Sequence, residues 1–297
     1  MIYTCTTNPS LDYYINVPEL NKGTDNRSES ESYGAGGKGV NVSIVLSNFR
    51  IPSTALGFLG GFTKDYYLSF IDRYPNIQPL FTTIEGDTRI NVKLMGKDCE
   101  TGLNARGPAI SEEEFDRFRN RLSRIYTDDV FVLSGNIQKE IEDKMIAIVK
   151  ELNSQGVRIV LDSTYEVIQK CVTDSLFMVK ISPSVVQASG LSIDELMNEL
   201  ISKGVRHVLY SADDEASYLY THNGRYRCSF SRDMSVSYTG SSDAMVAGFL
   251  YANIRGADDF ECFRYANAAA MATTLSNDMG SKEKIEDLYE RVEVCKI

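Results

Sequence analysis

Short hydrophobic segments alternate with longer amphipathic segments along most of the chain. Six segments are rich in Val, Ile, Leu and Phe without polar alternation, as strands buried on both faces are; these predicted strands are 2–7, 53–59, 130–135, 157–162, 177–181 and 205–211. The predicted helices are 39–49, 64–73, 111–125, 138–153, 192–203, 243–256, 258–276 and 283–292. One of them opens with Ser111 and Glu114, the spacing of a capping box. The alternation predicts an α/β fold with a doubly wound, mostly parallel sheet flanked by helices.

Two polar segments, 12–33 and 86–106, interrupt this alternation. Their patterns DYYINV and RINVKLM alternate as half-exposed strands do. We therefore predict that both segments form one minor sheet beside a main domain. That main domain comprises residues 1–11, 34–85 and 107–297. A late hairpin is predicted over 217–230, with its turn at Asn223-Gly224.

The composition narrows the classes of function. The chain has 297 residues, 43% of them hydrophobic, and a net charge of −10, which disfavours nucleic acid and anionic membrane as partners. No apolar run is long enough to cross a membrane, and the start MIYTCTTNPSLD does not resemble a signal peptide. The six cysteines are scattered and the two histidines stand alone, so no zinc site is expected. We expect a cytoplasmic protein whose partner is a small molecule.

A glycine cluster, YGAGGKGVNVS, opens the first predicted helix. Gly34, Gly36 and Gly39 match the dinucleotide fingerprint, but the preceding residues NRSESES do not form a buried strand. The Walker A motif fails as well, because a glycine follows Lys38 where Ser or Thr is required. Consecutive glycines before a helix let the backbone approach an anion, so Lys38 and Asn41 are candidate ligand contacts. The alternative is a simple turn with a surface lysine.

Asp243 stands between a Gly-Ser-Ser turn and the uncharged run AMVAGFLYA. The helix after it is apolar on every face and should be buried. Gly240, Ser241 and Ser242 can present backbone N–H groups to an anion at the start of this helix. An acid there can accept the proton of a hydroxyl that attacks a phosphoryl group. The alternative is that Asp243 only caps the helix.

The motifs NPSLD, GGKGVNVS, LGFLGGFT, TRINVK, SGN and TGSSDAMVAGF together resemble those of the ribokinase-like sugar kinases, especially the 1-phosphofructokinase and tagatose-6-phosphate kinase branch. The resemblance spans essentially the whole chain. It implies a doubly wound sheet with a small β-sheet lid, which the segments 12–33 and 86–106 would form. It also implies an ATP-dependent kinase acting on a hydroxyl of fructose 1-phosphate or tagatose 6-phosphate. Mg²⁺ would lie mainly on the nucleotide phosphates and water.

The resemblance also implies a role for individual residues, by motif. Asp243 would be the base, and Gly240, Ser241 and Ser242 the anion hole. The substrate-binding residues would be Asp12, Gly36, Gly37, Lys38, Asn41, Arg89 and Ser134. The cofactor-binding residues would be Lys180, Ser182, Ser211, Thr239 and Asn267. No residue is assigned to a metal. Arg89 is suited to a bidentate grip on phosphate, and the half-exposed lid strands would gain from being covered in a homodimer.

The sequence departs from the family pattern on the nucleotide side. Ser242 replaces the second glycine of the usual Gly-Ala-Gly-Asp turn, which would strain the anion hole if that position needs a glycine conformation. Lys180-Ile181-Ser182 replaces Lys-Pro-Asn, and Val185 stands where an acid linked to magnesium is usual. SADDEA, residues 211–216, replaces a glycine-containing loop and places three acids where nucleotide phosphates would approach.

These departures leave two hypotheses about function. The first is an active kinase with a modified nucleotide loop. The second is a catalytically weak relative that binds a sugar phosphate and acts as a sensor or regulatory partner. The retained Asp243 favours the kinase, because a protein that only binds sugar phosphate needs no base.

Overall fold

The computed structural model describes residues 1–96, 100–172, 175–211, 216–229 and 239–297. The strands are β1 (Ile2–Thr6), β2 (Ser10–Asn16), β3 (Ser30–Gly36), β4 (Ser53–Gly60), β5 (Ile77–Pro79), β6 (Thr82–Ile84), β7 (Arg89–Met95), β8 (Glu100–Leu103), β9 (Val130–Ser134), β10 (Arg158–Asp162), β11 (Met178–Ile181), β12 (His207–Tyr210), β13 (Ala216–Thr221), β14 (Arg225–Ser229) and β15 (Val294–Lys296). The helices are α1 (Lys38–Asn48), α2 (Gly61–Ile71), α3 (Glu112–Arg121), α4 (Glu142–Ser154), α5 (Tyr165–Cys171), α6 (Pro183–Ser189), α7 (Ile193–Ser202), α8 (Ser241–Asn253), α9 (Asp259–Thr274) and α10 (Lys282–Tyr289).

One large sheet forms the centre of the structure. Its strand order is β15-β14-β13-β12-β11-β10-β9-β1-β4-β5, with β6 also paired to β4. The pairings from β12 to β5 are parallel, and β13, β14 and β15 extend the sheet in antiparallel fashion. The six predicted strands are present, and the predicted hairpin is formed by β13 and β14. The prediction of a doubly wound, mostly parallel sheet is confirmed.

The central strands are apolar throughout because helices cover both of their faces. In β9, Phe131 and Leu133 pack in a cluster with α3, α4, α5 and α7. The alternate residues Val130 and Val132 pack in a second cluster with α1, α8 and α9. Burying each such side chain contributes about 1.5–3 kcal/mol. This arrangement explains why the sequence shows continuous hydrophobic runs at these strands instead of alternation.

The helices differ from the prediction mainly in their lengths. The capping box is confirmed, because Ser111 Oγ accepts from the Glu114 N–H and the Glu114 carboxylate accepts from the Ser111 N–H. The prediction missed α5 and α6, which span about two turns each and are too short to establish an apolar period. No helix in the described ranges combines the length and the apolar composition that a membrane crossing needs.

A second sheet has four strands in the order β3-β2-β7-β8. Strand β2 pairs antiparallel with β3 and parallel with β7, and β8 is antiparallel to β7. The two interrupting segments therefore do form a minor sheet, although residues 17–29 contain no strand. In the first segment, β2 begins at Ser10 and β3 ends at Gly36, beyond the predicted boundaries at residues 12 and 33. The division into domains stays a prediction.

Candidate active site

The helix that follows the Gly-Ser-Ser turn, α8, is buried along most of its length, and Asp243 lies in its first turn. The residue in the capping position is Gly240, which has a φ of 79° and provides no side-chain cap. Ser242 lies inside the helix, and its φ is not positive. The predicted backbone strain at Ser242 is therefore absent. The side chain of Asp243 accepts a hydrogen bond from Asn41 on α1 instead of capping its own helix.

The carboxylate of Asp243 is held by one oxygen only. Asn41 Nδ2, on α1, donates to Asp243 Oδ2 at 2.8 Å. Asp243 Oδ1 is buried and has no hydrogen-bond partner among the described residues. Burial raises the pKa of Asp243 to about 6, against the opposing charge of Lys38, and the nearby charge of Asp162 adds to the rise. A carboxylate with one fixed and one free oxygen, ionised at neutral pH, can act as a general base.

Asp162 connects two lysines. Its role was not predicted from the sequence. It lies at the end of β10 and is 2% exposed. Lys38 Nζ lies 3.2 and 3.1 Å from its two oxygens, and Lys180 Nζ lies 3.8 Å from Oδ2. Burial opposes ionisation of Asp162, but the two lysines outweigh it and lower the pKa of the carboxyl. The available signal was an acid at the carboxyl end of a buried strand, where α/β folds place ligand sites.

The first turn of α8 also meets this charge cluster. Lys180 Nζ, on β11, donates to Ser242 Oγ at 3.1 Å. The Lys180 side chain is only 2% exposed, whereas that of Lys38 is 42% exposed. Lys38 is therefore the cation that a ligand can reach from solvent, and Lys180 lies beneath the start of α8.

The small sheet contributes a third buried carboxylate to the described site, Asp12. Its Oδ1 accepts from Ser10 Oγ at 2.7 Å and from Asn91 Nδ2 at 3.1 Å. Burial raises the pKa of Asp12, and these hydrogen bonds oppose that rise. Gly36 lies directly against it, because a Cβ at Gly36 would be 2.4 Å from Asp12 Oδ2. Asn91, which the sequence analysis did not select, thus holds Asp12 across the β2–β7 pair.

The guanidinium of Arg89 contacts two backbone carbonyls. Its Nη1 donates to the Ala105 carbonyl and its Nη2 to the Asn8 carbonyl, both at 2.9 Å. Its Nε is buried and has no partner among the described residues. Each outer nitrogen therefore uses one of its two N–H groups on backbone, and the bidentate phosphate grip of Arg89 stays a prediction. Besides its charge, Arg89 keeps its buried Nε–H group for a ligand.

The carboxyl edge of the large sheet carries two further hydroxyls. Ser134 ends β9, and its Oγ is buried without a hydrogen-bond partner in the described structure. Thr6, which was not selected, ends β1, and its Oγ1 has the same status. Gly37 has a φ of 134°, and a Cβ there would lie 2.8 Å from Thr6 Cγ2. Since buried polar groups are almost always hydrogen-bonded, these atoms mark where a polar ligand fits.

The residues predicted to bind the cofactor are mostly engaged within the protein. Ser182 Oγ hydrogen-bonds with Ser184 Oγ at 2.9 Å, and Ser211 is buried at the end of β12. Thr239 is half-buried beside Gly240. The three acids of SADDEA, within residues 212–215, lie outside the described residues.

Asn267 on α9 does not reach the cleft through its side chain. It is 0% exposed, its Nδ2 donates to the Phe263 carbonyl at 2.7 Å, and its Oδ1 accepts from Ser217 Oγ at 2.5 Å. Both ends of the amide are thus occupied. This geometry gives no support to the predicted nucleotide contact of Asn267. In the part of the chain that the structure describes, no group of three His, Cys, Asp or Glu residues is arranged to hold a metal ion.

Comparison with known proteins gives consistent matches over the whole chain. A family model described as pfkB family carbohydrate kinase matches residues 6–285. A 1-phosphofructokinase from Bacillus subtilis (strain 168) is 33% identical over 305 residues, covering 100% of both chains. A tagatose-6-phosphate kinase from Staphylococcus epidermidis is 28% identical over 311 residues, again covering 100% of both. The solved structure of phosphofructokinase-2 from Escherichia coli has a TM-score of 0.91 at 21% identity, covering 98% of both chains, and shows the shared fold.

Proposed function

The chain belongs to the pfkB family of carbohydrate kinases, and from this premise we propose that it phosphorylates a free hydroxyl of a ketohexose phosphate. The donor is ATP, which kinases of this family use. The acceptors we propose are fructose 1-phosphate and tagatose 6-phosphate, and the product is a ketohexose bisphosphate. Support for this class comes from the names of the two relatives, a 1-phosphofructokinase and a tagatose-6-phosphate kinase.

The observation that carries this proposal is the geometry of Asp243. Its Oδ2 is fixed by Asn41, while its buried Oδ1 has no partner among the described residues. In the proposed reaction, the sugar hydroxyl oxygen bonds to the terminal phosphorus of ATP, and its proton passes to Asp243 Oδ1. The bond between that phosphorus and ADP breaks, and ADP leaves. The N–H groups at the start of α8 favour the negative charge in transfer.

The cleft residues suit a phosphorylated sugar. Lys38 is partly exposed at the start of α1, where a helix N-terminus favours an anion. The hydroxyl of Ser134 and the Nε of Arg89 can each form a hydrogen bond with the substrate. Asp12 is a hydrogen-bond acceptor for sugar hydroxyls. A lysine, a partly used arginine and a carboxylate together fit a ligand with both phosphate and hydroxyl groups.

The nucleotide side fits phosphate through the start of α8 and the buried ammonium group of Lys180. We propose that Mg²⁺, when bound, lies on the nucleotide phosphates and neutralises part of their charge, because this ion keeps several water ligands and binds few protein groups. We also propose that the protein is cytoplasmic, since the described cysteines are free thiols and four of them are buried.

A direct test is a turnover screen of both ketohexose phosphates with ATP and Mg²⁺, followed by thermal unfolding with each ligand alone. A ligand at a hundred times its Kd should raise the free energy of unfolding by about 2.7 kcal/mol. Stabilisation by a ketohexose phosphate together with turnover supports the kinase. If the sugar phosphate stabilises the protein but ATP does not, and there is no turnover, the result contradicts the kinase and supports a sugar-phosphate sensor. The observation that favours this second function is the buried amide of Asn267, which is hydrogen-bonded within the protein.

We also propose that two copies of the chain associate through the small sheet. Its strand register places Asp12 and Asn91 on the buried face. The opposite face carries Tyr33, Ile90 and Leu103, which are 40%, 36% and 58% exposed. Because the apolar face of the sheet is more exposed than the polar face, we propose that a second copy of the chain packs against it.

The association is tested by sedimentation of Leu103→Glu. The expected result is a shift from dimer to monomer, because a charge would be buried in the interface. A matched control is Tyr126→Glu, since Tyr126 is 70% exposed and lies outside the small sheet. If wild type and Leu103→Glu sediment alike, the small sheet is not the interface.

A further inference from the structure

Ser242 occupies a position where the resembling family has glycine, and the structure gives its hydroxyl a defined partner. It is the second residue of α8. Its Oγ lies 3.1 Å from Nζ of Lys180. Lys180 is almost fully buried, and among the described residues its ammonium group has two nearby acceptors, Ser242 Oγ and, at 3.8 Å, Asp162 Oδ2. The hydroxyl is therefore fixed in place by a buried cation.

The chemistry of the two groups fixes the direction of their hydrogen bond. An ammonium group only donates, so Ser242 Oγ is the acceptor in its contact with Lys180. The proton of the Ser242 hydroxyl must then point away from Lys180. Among the described residues, Ser242 Oγ forms no second hydrogen bond. Its proton can therefore be donated to a ligand.

Ser242 lies in the first turn of α8, where a helix end favours an anion such as a phosphoryl group. The first N–H groups of a helix have no acceptor within the helix, and the helix dipole favours an anion there. Asp243, the next residue, has a buried oxygen without a partner in the described structure. That oxygen is independent of the helix end and also indicates a polar ligand at this place.

We propose that the Ser242 hydroxyl donates a hydrogen bond to the phosphoryl group in transfer, and that Lys180 orients it for this purpose. The inference rests on the proposed kinase function and extends it, because it gives phosphoryl binding to a side chain that glycine lacks. Lys180 withdraws electron density from the oxygen and makes the hydroxyl a stronger donor. Asp162 in turn holds Lys180.

The test uses the full-length protein and the variants Ser242→Ala, Ser242→Gly and Ser242→Thr. Calorimetry with Mg²⁺ measures binding of ADP alone and of ADP with aluminium fluoride, which mimics a phosphoryl group in transfer. We expect ADP alone to bind all four proteins within about threefold, because a hydroxyl that contacts the transferred group does not contact ADP. In wild type, aluminium fluoride should raise the affinity for ADP. We expect this increase to be smaller by about tenfold or more in Ser242→Ala and Ser242→Gly, since a hydrogen bond to a charged group is lost. Thr should keep the gain.

Several outcomes would overturn the inference. One is an aluminium fluoride gain in Ser242→Ala equal to that of wild type, or no gain in wild type itself. A larger gain in Ser242→Gly than in wild type would mean that the side chain obstructs the site. Equal losses of ADP affinity and aluminium fluoride affinity in Ser242→Ala, with a lower Tm, would reduce Ser242 to a structural partner of Lys180.

Turnover of the wild-type protein is scored separately. A hydroxyl-dependent gain without turnover of any ketohexose phosphate sustains the inference and rejects the proposed reaction. Turnover of a ketohexose phosphate, with an aluminium fluoride effect that does not depend on the Ser242 hydroxyl, supports the proposed reaction and rejects the inference.

Discussion

The two sides of the cleft use their polar groups in opposite ways. On the sugar side, Ser134 Oγ, Arg89 Nε and Asp243 Oδ1 are buried without partners among the described residues. On the nucleotide side, the side chains of Ser182 and Asn267 have partners within the protein. Unpaired buried groups cost free energy that a ligand can recover, whereas paired groups stabilise the fold. The sugar side therefore holds several buried groups that a ligand can satisfy. On the nucleotide side, the start of α8 and Lys180 remain for phosphate, whereas the buried amide of Asn267 is satisfied within the protein.

The largest effect on catalysis is expected from Asp243→Asn. The variant keeps an acceptor for Asn41 but loses the base, so kcat should fall by about 10²- to 10⁴-fold. The affinity for sugar phosphate should stay close to that of wild type. Steady-state kinetics and ligand titration measure the two effects.

The control for that variant is Asp258→Ala, which removes a true capping acid. Asp258 Oδ1 accepts from the Glu261 N–H at the start of α9. Its loss should cost about 1 kcal/mol of stability and leave kcat unchanged. Full activity in Asp243→Asn would reduce Asp243 to a structural acid of the same kind.

The second prediction concerns the link between the two sides. Asp162→Asn leaves Lys180 buried without its carboxylate, so the free energy of unfolding should fall by about 3 kcal/mol. The matched control is Glu151→Gln, because the Arg119–Glu151 pair is exposed and contributes less than about 1 kcal/mol. Denaturant unfolding measures both. Equal small losses would show that the bridge carries no stability.

The third prediction uses pH, since burial raises the pKa of Asp243 to about 6. Below that pH the base is protonated, so kcat/KM should fall about tenfold per pH unit, if Asp243 is the group that must be ionised. A kcat/KM that stays flat between pH 5 and 7 would contradict the assignment.

The same pKa predicts the opposite trend in stability. The folded state holds this proton more tightly than the unfolded chain, so the contribution of Asp243 to stability falls as pH rises from about 4 to 6. The size of that fall is about 2–3 kcal/mol. Asp243→Asn should therefore be more stable than wild type at pH 8 and similar at pH 4, as measured by urea unfolding at both values. A variant that is less stable at pH 8 would refute this.

The smallest predicted effects are changes in KM when one serine on each side of the cleft is replaced by alanine. Ser134→Ala removes a buried hydroxyl without a partner in the described structure, so KM for the sugar phosphate should rise about three- to tenfold with stability unchanged. Ser182→Ala removes a hydroxyl that is bonded to Ser184, and neither KM should change by more than about twofold. Similar effects of the two changes would remove the contrast between the sides.

The sequence was sufficient for the fold because the buried strands form unbroken apolar runs. It also selected Lys38, Asn41 and Asp243, which the structure brings into one cluster. Asp162 was missed because an acid after a strand has the same local pattern as a surface acid. The direction of the Arg89 fork could not be predicted, since it depends on carbonyls that distant loops supply.

Asn267 shows a further limit of prediction from sequence. A motif can assign a polar residue to a ligand, but it does not say which way the side chain turns. Here the amide is satisfied by Ser217 and by its own helix. Short elements such as α5 were missed for a related reason, because packing and not periodicity stabilises them.

The hydrogen bond between Asn41 and Asp243 joins residues 202 positions apart in the chain. During synthesis at about 5–20 residues per second, the amide waits on the order of ten seconds or more for its carboxylate. A nascent chain therefore has no assembled centre until its last third has emerged and docked. Translation products that end before Asp243 should therefore transfer no phosphoryl group.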